Sequence, residues 1–162
     1  MIQGLGITDE GSYNAGPMTR ADVEKVLAEH AAGFAARDAD RLAAVHAADG
    51  TFESPAAGLV RGREGIRGVY RYWYQAFPDF TLTWGPAIID VAGAVPRAAV
   101  FWSFQGTAAG PFFGDVRPGS QVKMVGAAEY TFSPDGIVSI RHIFDFSAVL
   151  VATGVLKIKP TT

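Results

Sequence analysis

Residues 70–84 read YRYWYQAFPDFTLTW, and the spacing of the rings changes halfway along. Up to Phe77 it is helical: with Ile66 and Val69 just upstream, Tyr70, Trp73 and Phe77 share one face, while Arg67, Arg71 and Tyr74 point elsewhere. Pro78 ends that helix, because it has no N–H to donate and its ring clashes with the preceding turn. Beyond it Phe80, Leu82 and Trp84 alternate with other residues at the two-residue period of a strand. A helix therefore gives way to sheet at residue 78. Tyr70, Tyr72, Trp73 and Tyr74 crowd one short segment with hydroxyls and an indole N–H. Such rings fill a core or wall a cavity for a ring-shaped ligand, and the wall is the expectation here.

Working outward, Thr19 with Asp22 three residues later forms a capping-box start to a first helix. Val23, Val26, Leu27, His30 and Phe34 recur at helical spacing, so its apolar face carries a histidine. A second short helix is expected over Asp40–Ala47, and TFESP is a brief extended piece closed by Pro55. Downstream of Pro78, the segments DFTLTWG, AIIDVAG, RAAVFWSFQGTAAG, SQVKMVGAAEYTFSP and GIVSIRHIFDFSAV are rich in β-branched and aromatic residues and bounded by Gly or Pro. SPDG at 133–136 is a tight hairpin turn between the last two. Helices first and strands after give an α+β domain. The expected architecture is a curved antiparallel sheet of four to six strands forming a cone, covered by three N-terminal helices. The expected limits are a flexible arm over 1–17, the cone domain over 18–155 and a tail over 156–162.

The 162 residues suffice for one domain with a real core. No apolar run reaches the roughly 20 residues of a membrane span, and the N-terminus lacks the charged and hydrophobic regions of a signal peptide. With no cysteine, disulfide and thiolate chemistry are excluded and a cytoplasmic location is expected. The net charge of −2, with no basic stripe, gives nucleic acid nothing to bind. No HxH or HExxH spacing points to a metal, and no Gly-rich loop joins a strand to a helix, so neither metal nor cofactor is expected.

Three segments, GREGIRGVYRYWYQAFPDFTLTW (62–84), VFWSFQGTAAGPFFG (100–114) and GAAEYTFSPDGIVSIRHIFD (126–145), resemble the SnoaL-like polyketide cyclases. These belong to the nuclear transport factor 2-like superfamily of cone-shaped α+β proteins. The resemblance runs over roughly residues 20 to 154 and implies the fold more strongly than the activity, since this fold carries cyclases, isomerases, hydrolases, dehydratases and binding domains. In the ketosteroid isomerase layout, His30 stands where a tyrosine oxyanion donor would be. Ser54 stands where the aspartate base would be, and Ala128 replaces the second, acidic donor. Both carboxyls are missing, so that route has no base. In the SnoaL-like cyclases an aspartate on the last long strand is thought to act as general acid/base for an intramolecular aldol closure, and Asp145 stands at the matching place.

Strand alternation puts Ile143 and Asp145 on one face and His142, Phe144 and Phe146 on the other. Analogy with related folds turns Asp145 into the cone; a bulge would reverse this. The expected site then has Asp145 as acid/base and His30 as oxyanion donor. Phe34, His46, Tyr70, Trp73, Phe77, Phe101, Ala128 and Ile143 would contact the substrate. Against this, a single histidine on an apolar helix face is commonly a satisfied core group, and Asp145 could instead pair with Arg141. The activity implied is cofactor-independent acid/base catalysis on a hydrophobic polycyclic or polyketide-derived intermediate, with aldol cyclisation favoured. Isomerisation, epoxide opening and non-catalytic binding in the same fold are the alternatives. A homodimer through the convex sheet face is expected, with His142, Phe144 and Phe146 turned outward.

Overall fold

The computed structural model of the chain describes residues 17–159. The expected arm over 1–17 (Pro17 apart) and the last three residues of the expected tail lie outside the described residues. Thr19 caps helix α1 (Arg20–Ala35): its hydroxyl accepts from the Asp22 N–H while the Asp22 carboxylate accepts from the Thr19 N–H. Asp38 caps α2 (Ala39–Ala44). That helix is shorter than expected, and His46 opens strand β1 (His46–Ser54) instead of lying on it. Then follow β2 (Gly58–Arg61), α3 (Gly62–Ala76), β3 (Thr81–Trp84), β4 (Ile88–Asp90), β5 (Arg97–Thr107), β6 (Gln121–Ser133), β7 (Gly136–Phe144) and α4 (Phe146–Thr153). Helix α3 stops two residues before Pro78, and Phe77 has already left helical geometry at φ −131 and ψ 76, as the residue before proline must.

The α+β class holds, with three differences in detail. The sheet has seven strands in the order β2-β1-β7-β6-β5-β3, with β4 also on β5. It is mixed, because β1 runs parallel to β7. A fourth helix, α4, follows the last strand. SPDG makes the expected β6–β7 hairpin, with Gly136 at φ 118.

One irregularity decides the inner face. Thr131 pairs with Ser139, but Phe132 pairs with Ile137, so Val138 is an extra residue in β7. A bulge of this kind shifts the phase of alternation. Ile137 is buried before it; Ile140 and His142 are buried after it, and Ile143 is exposed. The concave face collects Val100, Trp102 and Phe104 of β5, Ala128 and Tyr130 of β6 and Ile140 and His142 of β7, against Ile66, Tyr70 and Phe77. The loop after β5 returns to the end of α3 through Ala109 N–H to Ala76 O at 2.9 Å, laying Phe112 against Trp73.

Candidate active site

The inner face owes its space to two small residues. Gly126 sits between Trp102 and Phe144 in the sheet, and Ala128 between Val100 and His142. A Cβ on Gly126 would lie 2.3 Å from Trp102 Cζ2, so only glycine lets the indole lie across β6. The ring of His142 then rests 5.2 Å from Phe52 and 5.8 Å from Trp102, centroid to centroid. Beneath α3 these side chains bound a cavity of about 60 Å³, whose walls include Phe34, Phe52, Tyr70, Trp73, Trp102, Phe104, Met124 and Phe144. Ser54, Tyr70, Trp73, Trp102 and His142 are the lining residues with hydrogen-bonding side chains, and no carboxylate is part of it. An engineered apolar cavity of about 150 Å³ accepts benzene, so a ring enters here only if the wall yields. Met124, unbranched and flexible, is the wall side chain best able to do so.

Two hydrogen-bonding groups of buried residues in this lining are unspent. The Trp102 indole Nε1–H is buried without a partner. Neither ring nitrogen of His142 makes a hydrogen bond among the described residues, although the ring is only 8% exposed. Burial, and secondarily His46, lowers the His142 pKa to about 3, so the imidazole is neutral. Ser54 Oγ accepts from the Ala57 N–H at 3.0 Å.

Behind the cavity wall lies a neutral polar chain. The Tyr70 hydroxyl stands 3.0 Å from His30 Nε2 and 3.2 Å from His46 Nε2. Having one hydrogen, it can donate to only one of the two imidazoles and must accept from the other where that contact holds a hydrogen. His30 Nδ1 lies 3.4 Å from the Tyr130 hydroxyl. Burial first, then the neighbouring histidines, holds His30 well below its ordinary value. Burial, with Arg63 second, puts His46 at about 4. Burial also raises Tyr70 and Tyr130 far above the ordinary phenol range. All four groups are uncharged at neutral pH.

The expected site is thus partly assembled and partly dispersed. Phe34, Tyr70 and Trp73 line the cavity. His30 and His46 come together on Tyr70, one layer behind the lining. Phe77 is fully buried against Trp73 and Phe104, and Ala128 lies in the sheet floor. Several expectations are corrected. Phe101 and Ile143, at 64% and 58% exposure, project from the convex face. Asp145 is the exposed N-cap of α4, accepting from the Ala148 N–H at 2.9 Å and the Ser147 hydroxyl at 3.0 Å. Those two bonds hold its carboxyl below the usual carboxylate range. Arg141 does not hold it; Arg141 pairs with Glu129 on the convex face. His142 and Phe144, expected outside, take inward positions because the Val138 bulge reverses the phase, and Phe146, expected with them, opens α4 against Phe112 and Phe113. Trp102 and Phe52 also went unassigned. Their signal was present in the alternation of Trp102 and Phe104, and in Phe52 two residues before the inward Ser54. Among the described residues, no three His, Asp or Glu side chains converge to hold a metal ion.

Solved structures share this architecture. A candidate SnoaL-like polyketide cyclase from Jannaschia sp. CCS1 superposes with a TM-score of 0.72 at 20% identity, covering 90% of this chain and 100% of that one. A Catenulispora acidiphila protein with a ketosteroid isomerase-like fold, in complex with trimethylamine, gives 0.66 at 22% identity, covering 84% and 98%. IdmH, a candidate polyketide cyclase from Streptomyces antibioticus, gives 0.64 at 25% identity, covering 81% and 97%. No curated protein matches the sequence significantly. The model of the SnoaL-like polyketide cyclases matches residues 24–152, which takes in every wall of the cavity, and the chain belongs to that family.

Proposed function

We propose that the chain takes a hydrophobic, carbonyl-bearing ring compound of polyketide type into the first cavity and cyclises or isomerises it without a cofactor. His142, not Asp145, is the acid/base in this reading. The observation that carries it is the pairing of a neutral His142 with an unpartnered Trp102 N–H in an otherwise apolar lining. The imidazole takes the proton beside the carbonyl, the C–H electron pair becomes the new C=C bond, and the C=O π pair moves onto oxygen. The indole N–H donates to that oxygen, a bond worth more in a dry cavity than in water. In an aldol closure the enolate carbon then attacks a second carbonyl, forming the ring bond, and the imidazolium returns its proton to the alkoxide. Burial disfavours imidazolium in the empty cavity, but an enolate oxygen beside it favours the charged form by opposite charge.

A second reading, binding without catalysis, is favoured by the absence of a carboxylate from the lining and by the low pKa of His142. Hydrogen–deuterium exchange of 2-indanone, followed by NMR, separates the two. Catalysis predicts α-exchange faster than in buffer, lost in His142→Phe while the ketone still binds. A ketone that binds wild-type protein yet exchanges no faster than in buffer leaves only the binding domain.

The convex face supports pairing of two copies. Phe101, Ala127 and Ile143 stand in one row across β5, β6 and β7, with Val125, 74% exposed, beside them. Such a self-complementary apolar patch suits a two-fold dimer.

A further inference from the structure

A second cavity, of about 180 Å³, lies beyond the polar chain, between α1 and the β3–β4 edge. It shares no lining residue with the first. Small side chains keep it open: Ala28 and Ala31 on α1 and Gly85 after β3 line it, Trp84 forms one wall, and His30 and Tyr130, each 1% exposed, are its polar lining residues. Ala28 and Gly85 are exposed, so the cavity opens at its rim. Its volume exceeds that of the engineered cavity of about 150 Å³ that holds benzene, and one aromatic ring with a small substituent fits.

The hydrogen count says what that substituent is. Tyr130, His30, Tyr70 and His46 are four neutral groups carrying one hydrogen each, joined by three links. When every link holds one hydrogen, the fourth is left either at one end of the chain or on Tyr70, whose oxygen can accept from both imidazoles. At one end it is a His46 Nδ1–H, buried without a partner; at the other it is the Tyr130 O–H, beside the second cavity. A buried N–H or O–H with no acceptor is costly. An acceptor in the second cavity removes that cost by taking the Tyr130 hydrogen. Tyr130 then accepts from His30 Nδ1–H, His30 Nε2 from Tyr70, and Tyr70 from His46 Nε2–H. His46 Nδ1 keeps only an unpaired lone pair, the cheaper orphan.

We infer that this cavity is a second small-molecule site, for a single aromatic ring bearing one carbonyl acceptor, with Tyr130 as the donor and Trp84 as the ring's wall. The inference does not depend on His142 or on catalysis in the first cavity. It is tested with acetophenone and, as a shape match lacking the acceptor, ethylbenzene, using NMR titration and protein–ligand NOEs. Acetophenone should bind saturably with NOEs to the Trp84 indole, about tenfold more tightly than ethylbenzene. Tyr130→Phe should erase that preference, and Ala31→Phe, filling the cavity from a partly exposed wall, should abolish binding. His142→Phe should leave it unchanged. Ala28→Phe, at the exposed rim, is the substitute if Ala31→Phe unfolds. No binding, equal binding of the two ligands, or NOEs to Trp102 and Phe144 in place of Trp84 would each overturn the inference.

Discussion

Acid should unfold this protein through its buried imidazoles. In the fold His46 and His142 are neutral, with pKa values lowered from 6.5 to about 4 and about 3 by burial. In the unfolded chain both take up protons once the pH drops below 6.5. Their contribution is therefore complete above that value and is lost as the pH falls toward the folded values. At about pH 4.5 each folded imidazole is still mostly neutral while its unfolded counterpart is protonated. Two pH units at about 1.4 kcal/mol each give roughly 3 kcal/mol lost per histidine. Together that is roughly 6 kcal/mol, comparable to the whole stability of many domains, and His30, lowered in the same direction, adds to it. Urea unfolding followed by tryptophan fluorescence at about pH 7.5 and 4.5 measures the loss. His142→Phe keeps a ring between Phe52 and Trp102 but removes one titration, so its loss should be smaller by roughly 3 kcal/mol. Carboxylates such as Asp22, Glu29, Asp79 and Glu129, held low by their partners, are common to both proteins and cancel in the difference. Equal acid sensitivity in wild type and variant would refute the buried, neutral placement of His142.

Removing the hydroxyl shared by His30 and His46, as Tyr70→Phe, leaves two buried ring nitrogens unserved; a destabilisation of roughly 2–4 kcal/mol in urea is expected, and a neutral result would contradict the network. For Asp145, asparagine caps a helix as well as aspartate does, so Asp145→Asn should keep both melting temperature and 2-indanone exchange. Asp145→Ala should melt a few degrees lower, about 2–4 °C, with exchange intact; loss of exchange in Asp145→Asn would return the catalytic role to this residue. Gly126→Ala drives a methyl into Trp102 and the Ile143 carbonyl. It should cost about 1–3 kcal/mol and weaken 2-indanone binding, which calorimetry would detect. Ile143→Lys puts a charge at the β7 end of the convex row, so light scattering should show a dimer becoming a monomer; a monomeric wild type would end the dimer proposal.

Much of this molecule was readable before folding. Local rules act over a few residues, so the capping box at Thr19, the break at Pro78, the SPDG turn and the helix-then-strand order were all legible in the chain. Half of the polar network was legible too, since the helical spacing that puts His30 on the apolar face of α1 also puts Tyr70 on the inner face of α3. The inward face of the last strand was not. Alternation is a period-two signal, and a single extra residue inverts everything after it; Val138 is extra only because Thr131 and Phe132 choose partners one step out of register. That choice belongs to strand pairing, not to the sequence of β7 alone. For the same reason Asp145, two and four positions past an outward Ile143 and an outward Arg141, leaves the cone and caps a helix, while His142 enters it. The space at the cavity floor is likewise tertiary: Gly126 and Ala128 look like unremarkable strand residues until β5 and β7 bring Trp102 and His142 to either side of them. Spacing along one chain fixes periods and breaks; only pairing across strands, and the partners it supplies, decides which polar atoms are left to meet a ligand.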